Sequence, residues 1–404
     1  MSNVLPRFAL GLLLLCVATP GYAAKKYDTG ASDTEIKLGQ TMPYSGPASA
    51  YANYGKVETA YFRMLNEQGG INGRKVTLIS LDDGFSPPKT VEQTRRLVEQ
   101  DGVLHIFGSL GTATNTAIMK YLNARKIPQI FLATAAAKFY DPKNFPWTMG
   151  ILFNYEEEAA IYARHLLRTK PDARVAILYQ NDDFGKDYVK GFKIGLGDRA
   201  SRMIVSELSY EISDPTIDSQ IMSLKASGAD TLFNVSTPKF AAQSLRRIWD
   251  IGWRPVQYLP FPSSSIATVL TPAGPEKAVG IISASPAKDP SDPQWANDSD
   301  VLAYLQFMKK YYPDGDVYDQ HNFTAYMSAF MMAHVLRRCG DELTRENVMR
   351  QAISMTGVKV PLLLPGLEVA TTATQYQQIH KMRMRRFDGK RWVFFGELIE
   401  GSLE

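Results

Sequence analysis

From Glu35 onward the chain alternates short apolar runs with longer stretches whose apolar residues recur every three or four positions. Residues 36–39 read as a strand. Residues 50–68 put Val57, Ala60, Tyr61, Met64 and Leu65 on one helical stripe that stops at Gly69-Gly70. A strand at 76–81 follows, then a helix at 87–100 with proline at its start. Strands at 103–107 and 130–132 flank a helix at 113–124. The pattern then restarts: helices are predicted at 155–169, from the 181–185 loop to 196, at 215–227 and at 241–251. Strands fall between them at 174–179, 202–208, 231–235 and 279–283. Strand–helix alternation of this kind implies right-handed crossovers and parallel sheets covered on both faces, here as two consecutive α/β units. Helices at 301–312 and 324–338 come after them.

The C-terminal stretch 378–387 alternates apolar with basic residues, and Asp388-Gly389 turns it into the apolar run from Trp392. Lys381, Arg383, Arg385 and Arg386 suit either a polyanion site or the solvated face of a hairpin; one-face alternation favours the hairpin.

The first residues are of a different kind. Arg7 precedes an apolar stretch at 8–18, and small residues lead up to Ala23 and Ala24. This is the pattern of a secretory signal peptide, residues 1–24, cleaved near Ala23 or Ala24 and too short to span a bilayer. Leu15 before Cys16 argues against lipid attachment. Removal of the leader leaves Cys339 as the single cysteine, in an apolar helical run where buried packing is the expected role. No later apolar stretch is long enough for a membrane span.

Composition narrows the classes further. A chain of 404 residues supports two or three domains, and 45 Lys+Arg against 41 Asp+Glu is nearly balanced, which argues against a nucleic-acid partner. No Gly-x-Ser-x-Gly, His-Glu-x-x-His, Walker or Gly-x-Gly-x-x-Gly motif occurs, and the five histidines are scattered. Neighbouring Asp82 and Asp83 at a strand end suit a turn cap better than acid–base chemistry. No enzyme activity, metal or cofactor is expected.

Several segments resemble the leucine/isoleucine/valine-type periplasmic binding proteins, the type I solute-binding components of ABC importers. The most specific is Leu65-Asn-Glu-Gln-Gly-Gly-Ile-Asn-Gly-Arg-Lys75, supported by Ile36-Lys-Leu-Gly-Gln-Thr-Met-Pro-Tyr-Ser-Gly-Pro47, Leu81-Asp-Asp-Gly-Phe-Ser-Pro-Pro88 and Ala176-Ile-Leu-Tyr-Gln-Asn-Asp-Asp-Phe-Gly-Lys186. The similarity runs from about 34 to 260. It implies two Rossmann-like lobes joined by a three-segment hinge, with 33–147 plus 280–354 in one lobe and 148–279 plus 355–404 in the other. It also implies a periplasmic monomer that closes on a small-molecule ligand and docks on an inner-membrane ABC permease. A ligand-sensing receptor subunit would use the same lobes.

Ligands of open α/β sheets sit beyond the carboxyl ends of strands, near helix N-termini. Ser109, Leu110, Gly111 and Thr112 fall there: glycine permits backbone approach, and the hydroxyls and free N–H groups suit a carboxylate. Capping of the helix by Ser109 or Thr112 is the alternative. Ala133 and Thr134 follow the next strand, and Tyr44 and Ser45 follow the first. On the second lobe the candidates are Phe184, Thr237, Lys239, Phe240 and Phe261, the aromatics as stacking surfaces. Relatives that bind α-amino acids hold the ammonium partly with an acidic residue where this chain has Phe240, and no acid lies between Asp230 and Asp250. A buried ammonium without an anionic partner is costly. The expected ligand is therefore an anionic organic molecule, aromatic acids among the candidates. Asp182 or Asp183 could supply the missing acid, which leaves amino acids as the alternative.

Overall fold

The computed structural model describes residues 25–403, so the expected leader, with Arg7 and Cys16, lies outside the described residues. A short β1 (Lys26–Tyr27) precedes β2 (Glu35–Met42), α1 (Asn53–Glu67), β3 (Lys75–Asp82), α2 (Pro87–Glu99), β4 (His105–Phe107), α3 (Thr112–Ala124), β5 (Gln129–Leu132) and β6 (Thr148–Gly150). Strands β2 to β6 form a parallel sheet in the order β3-β2-β4-β5-β6. The stripe read from the sequence is the buried face of α1: Val57, Ala60, Tyr61 and Leu65 are buried, and Met64 is half-buried at its rim.

The second unit runs α4 (Tyr155–Thr169), β7 (Val175–Gln180), α5 (Asp183–Leu196), α6 (Ala200–Met203), β8 (Ile204–Tyr210), α7 (Asp218–Ala226), β9 (Thr231–Val235), α8 (Pro238–Asp250), β10 (Val256–Tyr258), α9 (Thr271–Ala273) and β11 (Ile282–Ser285). Two boundaries differ from expectation. Residues 200–203 close a helical turn before β8 begins. Val279 is exposed and Gly280 takes φ 88°, so the strand expected from 279 starts at Ile282.

The chain then returns to the first unit with α10 (Ser299–Tyr311), α11 (Gln320–Cys339), β12 (Glu342–Leu343) and α12 (Arg345–Ala352), before β13 (Lys381–Phe387) and β14 (Trp392–Glu400) complete the second sheet. That sheet runs β14-β13-β11-β10-β9-β7-β8, with β13 antiparallel to both its neighbours. Helix α11 packs on α1 and is buried nearly all round, with Tyr61 against Tyr326 at 5.2 Å between ring centres. Cys339, at its end, is buried and unpaired, and burial pushes its thiol up to about 12.

These are two α/β lobes joined by three crossing segments, 151–154, 286–298 and 353–380. The crossings bond to one another: Lys288 N donates to Leu362 O at 2.7 Å, and Ile379 N to Leu152 O at 3.0 Å. The sequence reading put 280 onward in the first lobe. Instead β11 pairs with β10 and β13, so that segment stays in the second sheet to Ser285.

The basic alternation of β13 is also not what one-face exposure requires. Met382 and Met384 are buried on one side, but Arg385 and Phe387 are buried on the other, because loop 261–265 covers the sheet there. Only Lys381 and Arg386 of the four basic residues are exposed.

Candidate functional site

Between the lobes lies a cavity of about 670 Å³, counting the open space at its mouth. The first lobe supplies its floor from the carboxyl ends of β4 and β5. Leu110, Gly111 and Thr112 lead into α3, while Ala133, Thr134 and Ala135 follow β5. No side chain caps α3, whose N-cap is Gly111 at φ 106°. A Cβ there would meet Thr114 Oγ1 at 2.5 Å and the Phe85 ring at 2.6 Å, so glycine is required. The uncapped N–H groups and the positive end of the helix dipole therefore open beside the cavity. Thr112 Oγ1 and Thr134 Oγ1 are 2.7 Å apart at this floor.

The second lobe faces it with Gln180, Asp182 and Phe184 at the junction of β7 and α5. Asp182 caps α5, accepting from Gly185 N at 3.2 Å and Gln180 Nε2 at 2.7 Å. Burial raises its pKa against the pull of those donors. Thr237, at the uncapped start of α8, donates to Gln180 Oε1 at 3.1 Å. Phe184 meets Tyr155 edge-on at 5.3 Å.

Aromatic side chains close the walls. Phe85 and Leu152, both lining residues, take φ 61° and 47°, a left-handed backbone rare for bulky residues and a mark of functional strain. The Asp82-Asp83 turn holds Phe85 in place, with Asp83 Oδ1 accepting from Phe85 N at 2.9 Å. Hydrogen bonds from Ser45 and Gly84 help to hold the Asp82 carboxyl down at about 2 despite partial burial. Tyr51 and Tyr54 flank His321 at 5.0 and 5.8 Å between ring centres. His321 Nε2 lies 3.1 Å from Pro262 O and Nδ1 3.1 Å from Asp319 Oδ1. Burial opposes protonation, yet the Asp319 carboxylate outweighs it and the pKa is raised.

Among the described residues, Asp182 is the one acid of the lining, and no lysine or arginine belongs to it. A fully buried guanidinium, that of Arg385, lies 5.3 Å from the centre of the Phe261 ring. Across the cleft, Lys138 of the first lobe pairs with Asp183 at 2.6 Å, and Ala137 N donates to Asp187 Oδ2 at 2.8 Å.

Of the residues expected from the sequence, Leu110, Gly111, Thr112, Ala133, Thr134, Phe184, Thr237 and Phe261 line this cavity. Five lie elsewhere. Ser109 is buried beneath the loop, where its Oγ accepts from Thr41 N at 2.9 Å. Tyr44 bonds Ser80 and Ser45 bonds Asp82, away from the lining. Phe240 points into the second-lobe core against Tyr210 at 4.4 Å, because position N3 of α8 faces the sheet. Lys239 is exposed, over the Phe240 ring. Sequence reasoning missed Tyr51, Tyr54, Phe85, Tyr155 and His321. The strained Phe85 follows Gly84 in the Asp82-Asp83 turn, but the other four sit at or just before helix starts whose orientation only the fold supplies.

The sequence profile of the periplasmic binding protein family matches residues 35–391. Among curated proteins the chain is similar to Leu/Ile/Val-binding protein homolog 7 of Brucella abortus, 23% identical over 245 residues, or 58% of this chain and 60% of that one. It is also similar to Leu/Ile/Val-binding protein BraC3 of Rhizobium johnstonii, 26% identical over 164 residues, covering 40% and 44% of the two chains. The match thus spans about three fifths or less of these relatives' length. In fold it is similar to a branched chain amino acid ABC transporter protein from Thermus thermophilus with bound valine, with TM-score 0.82 and 18% identity over 92% of this chain and 98% of that one. A fatty acid ABC transporter substrate-binding protein from Thermomonospora curvata gives TM-score 0.80 and 19% identity over 94% and 96%. With the profile covering most of its length and both lobes in place, the chain belongs to the periplasmic binding protein family.

Proposed function

We propose that this protein is the periplasmic substrate-binding component of an ABC importer. It captures one small organic carboxylate between its lobes and delivers it unaltered to an inner-membrane permease, acting as a monomer. The observation that carries this reading is the uncapped start of α3, with Gly111 and Thr112 in the wall of a cavity lined from both lobes. Backbone N–H groups and a threonine hydroxyl suit a carboxylate by charge-assisted hydrogen bonds. The remaining wall, rich in Tyr51, Tyr54, Phe85, Phe153 and Phe261, favours a flat or apolar body. The signal-peptide pattern of residues 1–24 supports export, and among the described residues no helix is long and apolar enough to cross a membrane.

A second reading, an amino-acid ligand, is favoured by Asp182, a carboxylate in the opposite wall that can receive an ammonium. A thermal-shift screen of the mature chain against benzoates, cinnamates, aliphatic acids and amino acids separates the two. The first reading expects stabilisation by acids that lack an amine. Stabilisation by leucine or valine alone moves the assignment to the second.

A further inference from the structure

The strand β13 offers a cation that neither of the roles open to it from sequence explains. Arg385 is fully buried. Its guanidinium lies 4.5 Å from the Trp392 ring centre and 5.3 Å from that of Phe261, and Nη1 is 3.8 Å from the buried Asp289 carboxylate. Burial lowers its pKa to about 10 against the charge of Asp289, which leaves it a cation at neutral pH. A buried charge is retained at a cost unless it is paired, and Arg385 meets that cost by bridging two parts of the chain.

Nη2 donates to Ser264 Oγ at 2.5 Å and to Gln320 Oε1 at 2.8 Å. Ser264 belongs to the second-lobe loop that carries Phe261 into the cavity wall. Gln320 is the first residue of α11, which packs on the first lobe. The same loop meets the start of α11 directly as well, Ser264 Oγ donating to Gln320 Oε1 at 3.0 Å. Gln320 Nε2 donates to Phe261 O, His321 Nε2 faces Pro262 O at 3.1 Å, and Ser265 Oγ donates to Asp319 Oδ1 at 2.9 Å. Asp319 Oδ2 in turn accepts from Asn53 Nδ2 of α1 at 2.8 Å. A continuous polar seam therefore runs from β13 of one lobe to α1 of the other, directly behind Phe261 and His321.

We propose that Arg385 is a positioning residue for ligand capture: with Gln320 it forms a latch that draws the Phe261 wall of the second lobe onto α11 of the first, so that a closed population exists before ligand shifts the balance fully toward it. Ligand then selects a shape the chain already holds. The proposal rests on the reading of this protein as a carrier that closes on its ligand, but its test needs no ligand, so each can fail alone.

The experiment places spin labels on Ser49→Cys and Ser213→Cys in the mature full chain. Both serines are exposed, one in each lobe, and the native Cys339 is buried. Pulsed electron–electron distance distributions are recorded for the ligand-free chain with Arg385 and Gln320 intact, and then with Arg385→Met or Gln320→Ala. The expected result is a short-distance population in the parent that is lost, or falls at least severalfold, in both variants, while the melting curve of Gln320→Ala stays cooperative. A purely structural role for Arg385 would lower the melting temperature without moving the distances of the folded fraction. Superimposable distributions in the parent and in folded Gln320→Ala overturn the proposal, whether both are short or both long. Should Arg385→Met not fold, Gln320→Ala alone decides.

Discussion

The side-chain oxygens of Thr112, the first residue of α3, and of Thr134, in the loop after β5, share a 2.7 Å hydrogen bond at the cavity floor. One hydroxyl donates to the other, which leaves a hydroxyl hydrogen at this pair to aim at a ligand beside the uncapped α3. Thr112→Val removes one of the two hydroxyls, and with it the bond between them, with little change of volume. Loss of a hydrogen bond to a charged group costs about 1.5–3 kcal/mol, so affinity for a carboxylate is expected to fall roughly ten- to a hundredfold. Calorimetric titration checks this, and an unchanged affinity excludes the floor from the binding site.

Asp182 serves as a helix cap and as an acid of the cavity lining, and the two roles can be separated. Asparagine caps about as well as aspartate, so Asp182→Asn is expected to keep the fold. Acids without an amine are expected to bind the variant as tightly as the parent, or more tightly, since a negative charge has left their cavity. A tenfold loss with such acids would show that Asp182 accepts a hydrogen bond from the ligand itself.

Gly111→Ala combines two penalties, a positive φ of 106° and a Cβ only 2.5 Å from Thr114 Oγ1. Each forces the loop away from its present course. The expected outcome is lowered stability, by about 1–3 kcal/mol in denaturant unfolding, together with weakened ligand binding. A variant as stable and as tight as the parent would show that the loop does not need this conformation.

Glu158 gives the fold a pH signature. It is fully buried and accepts hydrogen bonds from Tyr162 OH and Tyr188 OH, both at 2.5 Å, and from Phe261 N at 2.6 Å. Burial nevertheless raises its pKa from 4.5 to about 7, against those donors. The unfolded chain therefore releases this proton first. Its contribution to stability falls as pH rises from about 4.5 to about 7 and is flat above, by on the order of 3 kcal/mol in all. Denaturant unfolding across pH 4.5–8 is expected to show this slope, and Glu158→Gln is expected to flatten it. An identical slope in the variant would assign the effect to other groups.

Much of the frame was legible because strand–helix alternation depends on local periodicity. The stripe of α1, the bounds of α4 and the strand at 231–235 needed no tertiary information. The floor of the cavity was legible for the same reason: Leu110 to Thr112 and Thr134 follow strand ends, where parallel sheets leave open crevices. What escaped depends on chain segments distant in sequence. His321 reaches the cavity only because α11 returns to the first lobe after strands β7 to β11 of the second sheet are laid down. Arg385 is buried only because a loop some 120 residues earlier covers its strand, with Ser264 as its partner. Phe240 read as a binding candidate from its place after β9, but Pro238 starts α8 at once and turns that side chain to the core.

The central claim is that both lobes enclose one small carboxylate and leave it unchanged. The direct measurement is isothermal titration of the mature chain with the acid that most raises its melting temperature, followed by chromatographic recovery of that acid. The account predicts one molecule bound per chain and complete recovery of the starting compound. Chemical conversion of the acid, or heat of binding that survives when Thr112 and Phe184 are both replaced by alanine, would contradict it.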